Sequence, residues 1–318
     1  MTLGQVRVAV VGAGEIGRGW AAMCVAAGWQ VSIFDIDSSV MEMASDDIVR
    51  RAQKLIELER ATADYVDNGV AQLKVGRSIL QACADAEWVI EAGPEDLLVK
   101  QRMFEAIEGA AKNARVITSS TSALQIKDIV ARCTRHHRAM VAHPLPPPEL
   151  IPLVEIVAGP ETDHTYVELL KGWLRALGKI PVEILKEVPG NVATRIAAAV
   201  WREAIDLVLE GVIGVDDLDR AVSVGPAVGW AAAGPHLSYV LAAGGRNVSG
   251  FLQQLLQSYE GIWADLPTWS HLEPEQQRRL VSQIEKAYRD NVDVIRPARD
   301  RRLAGMLRGL ERSRGQAE

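Results

Sequence analysis

Short apolar runs and helix-spaced apolar stripes alternate along the first 185 residues of this chain. The apolar runs have the length and composition of buried strands and cover residues 6–11, 31–34, 88–91, 116–119, 139–142, 153–157 and 182–185. Helix-spaced apolar positions lie between them, above all over residues 38–69, 78–85 and 95–111. Strands that alternate with helices predict an α/β domain with a mostly parallel sheet.

The pattern changes after Pro189-Gly190, where the short apolar runs stop and only helical spacing remains. Asn191 is placed to cap a long helix that ends before Gly211. Four further helical patterns follow between residues 216 and 312, with Pro297 in the first turn of the last one. We therefore predict an α/β domain over residues 1–188 and an all-α domain over residues 189–318.

A glycine-rich turn, Gly12-Ala13-Gly14-Glu15-Ile16-Gly17, follows the first predicted strand. Gly12 permits a tight turn, Gly14 lets a pyrophosphate approach the backbone, and Gly17 lets the next helix pack against the strand. The helix N-terminus, with Glu15 and Ile16, offers N–H groups and a positive dipole end to the phosphates. The order strand, turn, helix predicts a Rossmann-type dinucleotide-binding domain.

Asp35 ends the second predicted strand, about 20 positions beyond the glycine turn. A carboxylate at this place accepts the ribose hydroxyls of NAD and repels the 2′-phosphate of NADP. No Arg or Lys lies between Asp35 and Arg50 to bind that phosphate. The predicted cofactor is therefore NAD(H).

Composition and charge narrow the function classes. A net charge of −6 and a pI of 5.6 argue against a nucleic-acid partner. Cys24, Cys83 and Cys133 are too widely spaced to indicate a disulfide framework or a zinc site. No pairing of His with an acid has metal-ligand spacing, so no metal is predicted. Neither a secretory signal nor an apolar run of membrane-spanning length is found, and the protein is expected in the cytoplasm.

Candidate chemistry lies at the ends of predicted strands, where open α/β sheets bind their ligands. Glu155 sits in an otherwise apolar strand, where a charge needs a partner, and His143 is the obvious one. A carboxylate on one imidazole nitrogen fixes the tautomer and increases the basicity of the other nitrogen. Such a pair suits taking a proton from an alcohol while hydride leaves to nicotinamide. The residues alone equally allow a surface His at a strand end and an edge-strand Glu.

The sequence resembles the 3-hydroxyacyl-CoA dehydrogenase superfamily, most closely the branch with lambda-crystallin (L-gulonate 3-dehydrogenase) and carnitine dehydrogenase. The resemblance covers nearly the whole chain. It rests on the Gly12 motif, residues 119–124, residues 143–155 and Gly234-Pro235. It implies that His143 is the acid/base and that Glu155 orients it, at the spacing of the family's catalytic pair.

Further roles follow from the same resemblance. Ser122 matches the serine that hydrogen-bonds the substrate oxygen, and Glu95 and Lys100 match residues that line the nicotinamide ribose. Ser120, in the same serine-rich segment, is assigned to the cofactor. The resemblance also implies a homodimer formed through the helical domain and an active site in the cleft between the domains.

The chain departs from the family pattern after Pro189-Gly190, where the family usually carries an Asn and this chain has Thr194. Thr can hydrogen-bond the reacting group, but it is shorter and β-branched, so its reach differs. We assign Thr194 to the catalytic set. Asn191, nearly one helical turn away, is assigned to the substrate pocket as well as to the helix cap.

Two further departures concern the substrate. Acids outnumber bases over residues 38–69, which disfavours the phosphates of CoA. Gly229 stands where small-substrate members often carry an Arg, the natural clamp for a carboxylate. The predicted substrate is therefore small, less acidic and more apolar. Trp230 and His236 are assigned to its pocket, although Trp residues equally build helical cores.

We therefore predict an NAD(H)-dependent oxidoreductase that transfers hydride between nicotinamide and a small 3-hydroxy or 3-keto substrate. One alternative is an imine reductase on the same scaffold, since an iminium needs less acid help and gains from aromatic walls. The other is a non-enzymatic, crystallin-like protein that binds NAD.

Overall fold

A computed structural model of the protein describes residues 5–243, 248–288 and 292–314. Within them the chain divides into two compact units, residues 1–195 and 196–318. The first unit contains the sheet, and all the described secondary-structure elements of the second unit are helices. The predicted α/β domain with a mostly parallel sheet, followed by helices, is confirmed. The domain boundary predicted at residue 188 remains a prediction.

The sheet has eight strands in the order β3-β2-β1-β4-β5-β6-β7-β8. Every neighbouring pair is parallel except β6 and β7, which are antiparallel. The central strands are buried on both faces, as their continuous apolar runs require. The strands are Arg7–Val11 (β1), Gln30–Phe34 (β2), Lys74–Val75 (β3), Trp88–Glu91 (β4), Val116–Ser119 (β5), Ala139–Pro144 (β6), Leu153–Ala158 (β7) and Ile180–Glu183 (β8).

Helices connect these strands and cover the sheet. Asp side chains cap three of them, because a carboxylate accepts the unpaired N–H groups of a first turn: Asp37 caps α2, Asp96 caps α5 and Asp163 caps α7. The helices of the first unit are Glu15–Ala26 (α1), Ser38–Glu57 (α2), Ala63–Ala71 (α3), Ile79–Cys83 (α4), Leu97–Ala110 (α5), Ile126–Ile129 (α6) and His164–Ala176 (α7).

The first unit differs from the sequence prediction in three places. The helical region over residues 38–69 is two helices, broken where Glu59 adopts a left-handed backbone with φ of 58°. The two exposed residues of β3 carry no apolar run and were not predicted. The last strand lies two residues earlier than its apolar pattern indicated, because its pairing with β7 sets its register.

The second unit begins within α8, which starts in the first unit. Its elements are Ala193–Leu209 (α8), Val215–Val224 (α9), Pro226–Ala233 (α10), Pro235–Ala242 (α11), Val248–Asp265 (α12), Pro274–Tyr288 (α13) and Val292–Arg314 (α14). Pro297 lies inside α14 and not in its first turn, which corrects the prediction. Asn191 does not cap α8 either, because it lies in the preceding turn with φ of 49°.

Candidate active site

The glycine turn has the geometry that a bound pyrophosphate needs. Gly12 has φ of 107°, and a Cβ there would lie 2.5 Å from the carbonyl oxygen of Ala92, the residue that follows β4, so only glycine fits. A Cβ on Gly14 would meet no protein atom within 4 Å. Gly14 precedes α1, and no side chain caps the first turn of that helix. The open space and the uncapped N–H groups therefore fit a phosphate.

Asp35 follows β2, and its carboxylate accepts a hydrogen bond from the glycine turn. One carboxylate oxygen accepts the N–H of Ala13 at 2.7 Å, and the other accepts the N–H of Asp37 at 3.0 Å. Each oxygen keeps a lone pair for a ribose hydroxyl. Beside it lies a cavity of about 770 Å³ with a mostly apolar lining that includes Gly12, Phe34 and Ile36. These residues fit the adenosine half of NAD.

Two arginines that were not among the sequence candidates, Arg77 and Arg102, also line this cavity. Neither lies in the segment after Asp35 that was searched for a partner of the 2′-phosphate. Arg77 precedes α4 and Arg102 lies on α5. The tertiary structure therefore brings positive charge to this cavity from elements distant in sequence.

A buried ion pair supports the loop after β4. Lys100 Nζ donates to both oxygens of Glu91, at 2.8 and 3.1 Å, and to the carbonyl of Gly93. Ser119 donates to the second of these oxygens. Lys100 is 1% exposed and Glu91 is fully buried. Lys100 therefore braces this loop, and its contact with the nicotinamide ribose remains a prediction.

Glu91 was not among the residues singled out from the sequence, although its position in an apolar strand could have indicated it. It is an acid that belongs to an otherwise apolar strand, as Glu155 is. The same rule, that a buried charge requires a partner, would have singled it out.

Glu95 organises the serine-rich segment after β5. Its Oε1 accepts the Thr121 hydroxyl at 2.6 Å and the N–H groups of Ser122 and Ala123, both at 3.0 Å. Burial raises the pKa of Glu95, but these hydrogen bonds and the charge of Lys100 outweigh it, so the pKa lies below its usual value. Glu95 therefore remains a carboxylate and holds Ser122 in place.

Ser120, in the same segment, is held by Trp20, whose indole N–H donates to the Ser120 hydroxyl at 3.1 Å. Trp20 lies on α1 and is fully buried against Trp88, with ring centroids 5.6 Å apart. The segment that carries the predicted cofactor and substrate serines is therefore fixed to the helix that follows the glycine turn.

His143 and Glu155 face each other across the antiparallel pair β6 and β7. The His143 Nδ1 lies 2.9 Å from Glu155 Oε2, and both side chains are buried. The strand register alone brings them opposite, since cross-strand neighbours on one face approach to within contact. An imidazole bound in this way through Nδ1 has its Nε2 left for a substrate.

The second oxygen of Glu155 caps α8. Oε1 accepts the N–H groups of Val192 and Ala193, at 2.9 and 2.8 Å. Burial raises the pKa of Glu155, but the hydrogen bonds with His143, Ala193 and Val192 outweigh it, so the pKa lies below its usual value. One carboxylate therefore orients the imidazole and anchors the start of α8, the capping position that the sequence assigned to Asn191.

The remaining candidates fall into two groups. Thr194 lies in the first turn of α8, one residue beyond the Glu155 contact, and Asn191 is buried in the turn before it. Trp230 and His236 belong to the second unit, on α10 and α11. Their places in a substrate pocket remain predictions.

Residue spacing in the sequence did not reveal one cluster of possible metal ligands. His164 and Glu168, one helical turn apart on α7, converge with Glu183 on β8, with ligand atoms within 4.8 Å of one another. Lys171 forms ion pairs with both carboxylates, so one ammonium already offsets part of their negative charge. The prediction that no metal is bound remains a prediction. None of the described helices is both long and apolar enough to cross a membrane.

The glycine turn, the Asp35 carboxylate and the sheet order together define an NAD-binding domain of the Rossmann type. The chain belongs to the 3-hydroxyacyl-CoA dehydrogenase family. Residues 7–188 match the model of the 3-hydroxyacyl-CoA dehydrogenase NAD binding domain. The chain is also 33% identical to an L-carnitine dehydrogenase of Streptomyces coelicolor over 314 residues, which are 96% of this chain and 95% of the relative.

Solved structures agree with this assignment. A 5-formyl-3-hydroxy-2-methylpyridine 4-carboxylic acid 5-dehydrogenase, described as an NAD+ dependent dismutase, is similar with a TM-score of 0.81 and 27% identity, covering 96% of this chain and 99% of that one. The (S)-3-hydroxybutyryl-CoA dehydrogenase PaaH1 of Ralstonia eutropha gives 0.62 and 28%, covering 70% and 78%. The family predicted from the sequence is confirmed.

Proposed function

We propose that this dehydrogenase interconverts a small 3-hydroxy substrate and its 3-keto product, with His143 as the acid/base and Glu155 as its orienting partner. The observation that carries the proposal is the 2.9 Å contact between Nδ1 of His143 and Oε2 of Glu155, both buried at the end of a strand pair. Such a contact fixes the tautomer and favours the imidazolium that forms during the reaction.

NAD+ held by the glycine turn and Asp35 would supply the acceptor for the hydride that leaves the carbinol carbon. In the same step His143 Nε2 takes the hydroxyl proton, so that the alcohol becomes a ketone. Glu155 stays ionised, because its hydrogen bonds hold its pKa below the usual value, and its charge stabilises the imidazolium. Ser122, held by Glu95, donates a hydrogen bond to the reacting oxygen, and Thr194 contacts the same group. The reverse direction uses the same groups.

A small substrate is favoured over a CoA ester. The exposed side of α2 presents Glu42, Asp46 and Glu57, which repel the phosphates of CoA. Among relatives similar over most of this chain, several are L-carnitine dehydrogenases. L-carnitine, a small 3-hydroxy compound, is therefore the first substrate to test. A cytoplasmic location remains a prediction from the sequence.

We also propose a homodimer formed through the helical unit. Large apolar side chains are exposed there on several helices, among them Trp201 (62%), Val224 (73%), Leu241 (63%) and Trp263 (51%). Aromatic side chains such as those of Trp201 and Trp263 are enriched at protein–protein interfaces. The family resemblance implies the same assembly.

The test is NADH and NADPH oxidation with a 3-keto acid, dehydrocarnitine, acetoacetyl-CoA and a cyclic imine, and L-carnitine oxidation with NAD+. Wild type is compared with His143→Ala and with His271→Ala, a matched change of an exposed histidine. We expect turnover of one small keto compound with NADH and a loss of about 10²- to 10⁴-fold in His143→Ala only.

Two outcomes would overturn this proposal. Turnover of the imine alone, retained in His143→Ala, would establish the imine reductase alternative. Turnover of acetoacetyl-CoA in preference to all small compounds would refute the substrate class. The non-enzymatic alternative is set aside, because the chain is a dehydrogenase.

A further inference from the structure

Arg51 is a charged residue outside the predicted catalytic set that joins three parts of the first unit. Its Nη2 lies 2.7 Å from Glu15, its Nε 2.8 Å from Asp47, and its Nη1 3.0 Å from Glu149. Glu15 opens α1, Asp47 lies on α2, and Glu149 lies in the segment that joins β6 to β7. One guanidinium therefore connects the start of the cofactor-binding helix to the connection between the His143 and Glu155 strands.

The β6–β7 connection, residues 145–152, also packs directly on α1. A Cβ on Gly19 would lie 2.8 Å from the Oε2 of Glu149 and 2.8 Å from the ring of Pro148, so glycine alone permits this approach. On the other side, Lys179 Nζ donates to the carbonyl oxygens of Pro148 and Ile151. The connection is thus held between α1 and the start of β8.

The chemistry of the contact requires arginine. A planar guanidinium offers five N–H donors in fixed directions and can bind three carboxylates at once, whereas an ammonium acts as a single point charge. The side chains of Arg51, Asp47 and Glu149 are 16%, 11% and 10% exposed, so water screens their attraction less than at the surface. Arg50, the residue before Arg51, has a side chain that is 75% exposed and contacts Asp47, and it provides a matched control.

We propose that Arg51 is a positioning residue that couples the dinucleotide site to the alignment of His143 with Glu155. Glu15 stands at the helix end where the pyrophosphate fits, so an anion bound there repels its carboxylate and changes its pairing with Arg51. Arg51 transmits that change to Glu149 and to the β6–β7 connection. The part that concerns His143 and Glu155 rests on the proposed function.

The first test needs no substrate. Hydrogen exchange of the amides of Glu149, Leu150 and Ile151 is measured with and without NADH in wild type, Arg51→Met and Arg50→Met. We expect NADH to slow this exchange about threefold or more in wild type and Arg50→Met, and to leave it unchanged in Arg51→Met at saturating NADH. NADH binding to each variant is verified by fluorescence titration. An NADH effect that persists in Arg51→Met, or that is absent from wild type, overturns the proposal whatever the turnover assay shows.

The second test separates positioning from stability. On the best substrate of the panel, we expect Arg51→Met and Glu149→Gln each to lower kcat by about tenfold with a smaller change in the NADH dissociation constant. The double variant should be no worse than Arg51→Met, because both single changes remove the contact between Arg51 and Glu149. Arg51→Lys should recover only part of the loss. Additive losses, or equal losses in Arg50→Met, would refute the coupling. If Arg51→Met fails to fold, Glu149→Gln and Arg51→Lys carry both tests.

Discussion

Glu155 performs two tasks with one carboxylate, and both depend on its charge. One oxygen binds the imidazole of His143, and the other accepts two N–H groups at the start of α8. Because these contacts lower its pKa, the ionised form is bound more tightly in the folded protein than in the unfolded chain. The catalytic group proposed here is thus also part of the stability of the fold.

The pH dependence of unfolding should report this charge. A depressed carboxyl pKa contributes stability that is present above the unfolded value, 4.5, and is lost as pH falls through the lower folded value. We expect wild type to exceed Glu155→Gln in unfolding free energy by about 2 kcal/mol at pH 7, with the difference shrinking below pH 4.5. Urea titrations from pH 3 to 7 measure it. Glu57→Gln, an exposed control on α2, should show almost no difference at any pH.

Asp35 should decide the cofactor. Asp35→Ser removes the carboxylate that accepts ribose hydroxyls and repels a 2′-phosphate. We expect NADH to bind about tenfold more weakly and NADPH to bind better than in wild type, as Arg77 and Arg102 also line this cavity. Asp37→Ser keeps a good helix cap for α2 and should leave both affinities unchanged. Fluorescence titration decides, and an unaltered NADH to NADPH ratio in Asp35→Ser would contradict the assignment.

Strand and helix ends place the groups of this site. The glycine turn lies between β1 and α1, the serine-rich segment follows β5, and His143 closes β6. Parallel strands bring these ends to one edge of the sheet, as open α/β sheets do. The antiparallel β7 then returns Glu155 to the same edge, opposite His143.

The first turn of α1 gives a test at this level. Gly14→Ala adds a methyl group that meets no protein atom but fills the space beside the uncapped N–H groups. We expect the thermal midpoint to stay within about 2 °C of wild type while the NADH dissociation constant rises about tenfold or more. Gly305→Ala on α14 also meets nothing within 4 Å and serves as the control. Unchanged NADH affinity in Gly14→Ala would place the pyrophosphate elsewhere.

Among the described residues, the two units differ in how well their apolar side chains are covered. The first unit buries most of its large apolar side chains around the sheet, whereas those of the second unit are largely exposed. A helical unit of this kind reaches ordinary burial only against another surface.

Sedimentation should therefore give twice the chain mass of 34.6 kDa. Leu241→Asp, which puts a charge on the exposed apolar surface of α11, should shift the protein toward the monomer at micromolar concentration. Leu185→Asp is the control, because Leu185 is 95% exposed in the first unit. A monomeric wild type, or an equal shift in both variants, would exclude a dimer through the helical unit.

The local pattern of the sequence was sufficient for the fold class and the cofactor, and the resemblance of the whole chain was sufficient for the family. Continuous apolar runs specify buried strands. A glycine turn between a strand and a helix is typical of dinucleotide-binding domains, because each of its glycines has a mechanical role there. These signals are local and depend on a few neighbouring residues. The need of Glu155 for a partner was readable in the same way, because a charge in an apolar strand is costly alone.

Only the tertiary structure decided which groups each of these buried charges contacts. The second oxygen of Glu155 replaces Asn191 as the cap of α8, and Lys100 turns away from the surface to pair with Glu91. Arg51 meets Glu15 and Glu149, residues distant from it in sequence. Such contacts form where elements distant in sequence pack against each other. The spacing of residues along the chain does not reveal which elements pack together, so these contacts could not be predicted from it.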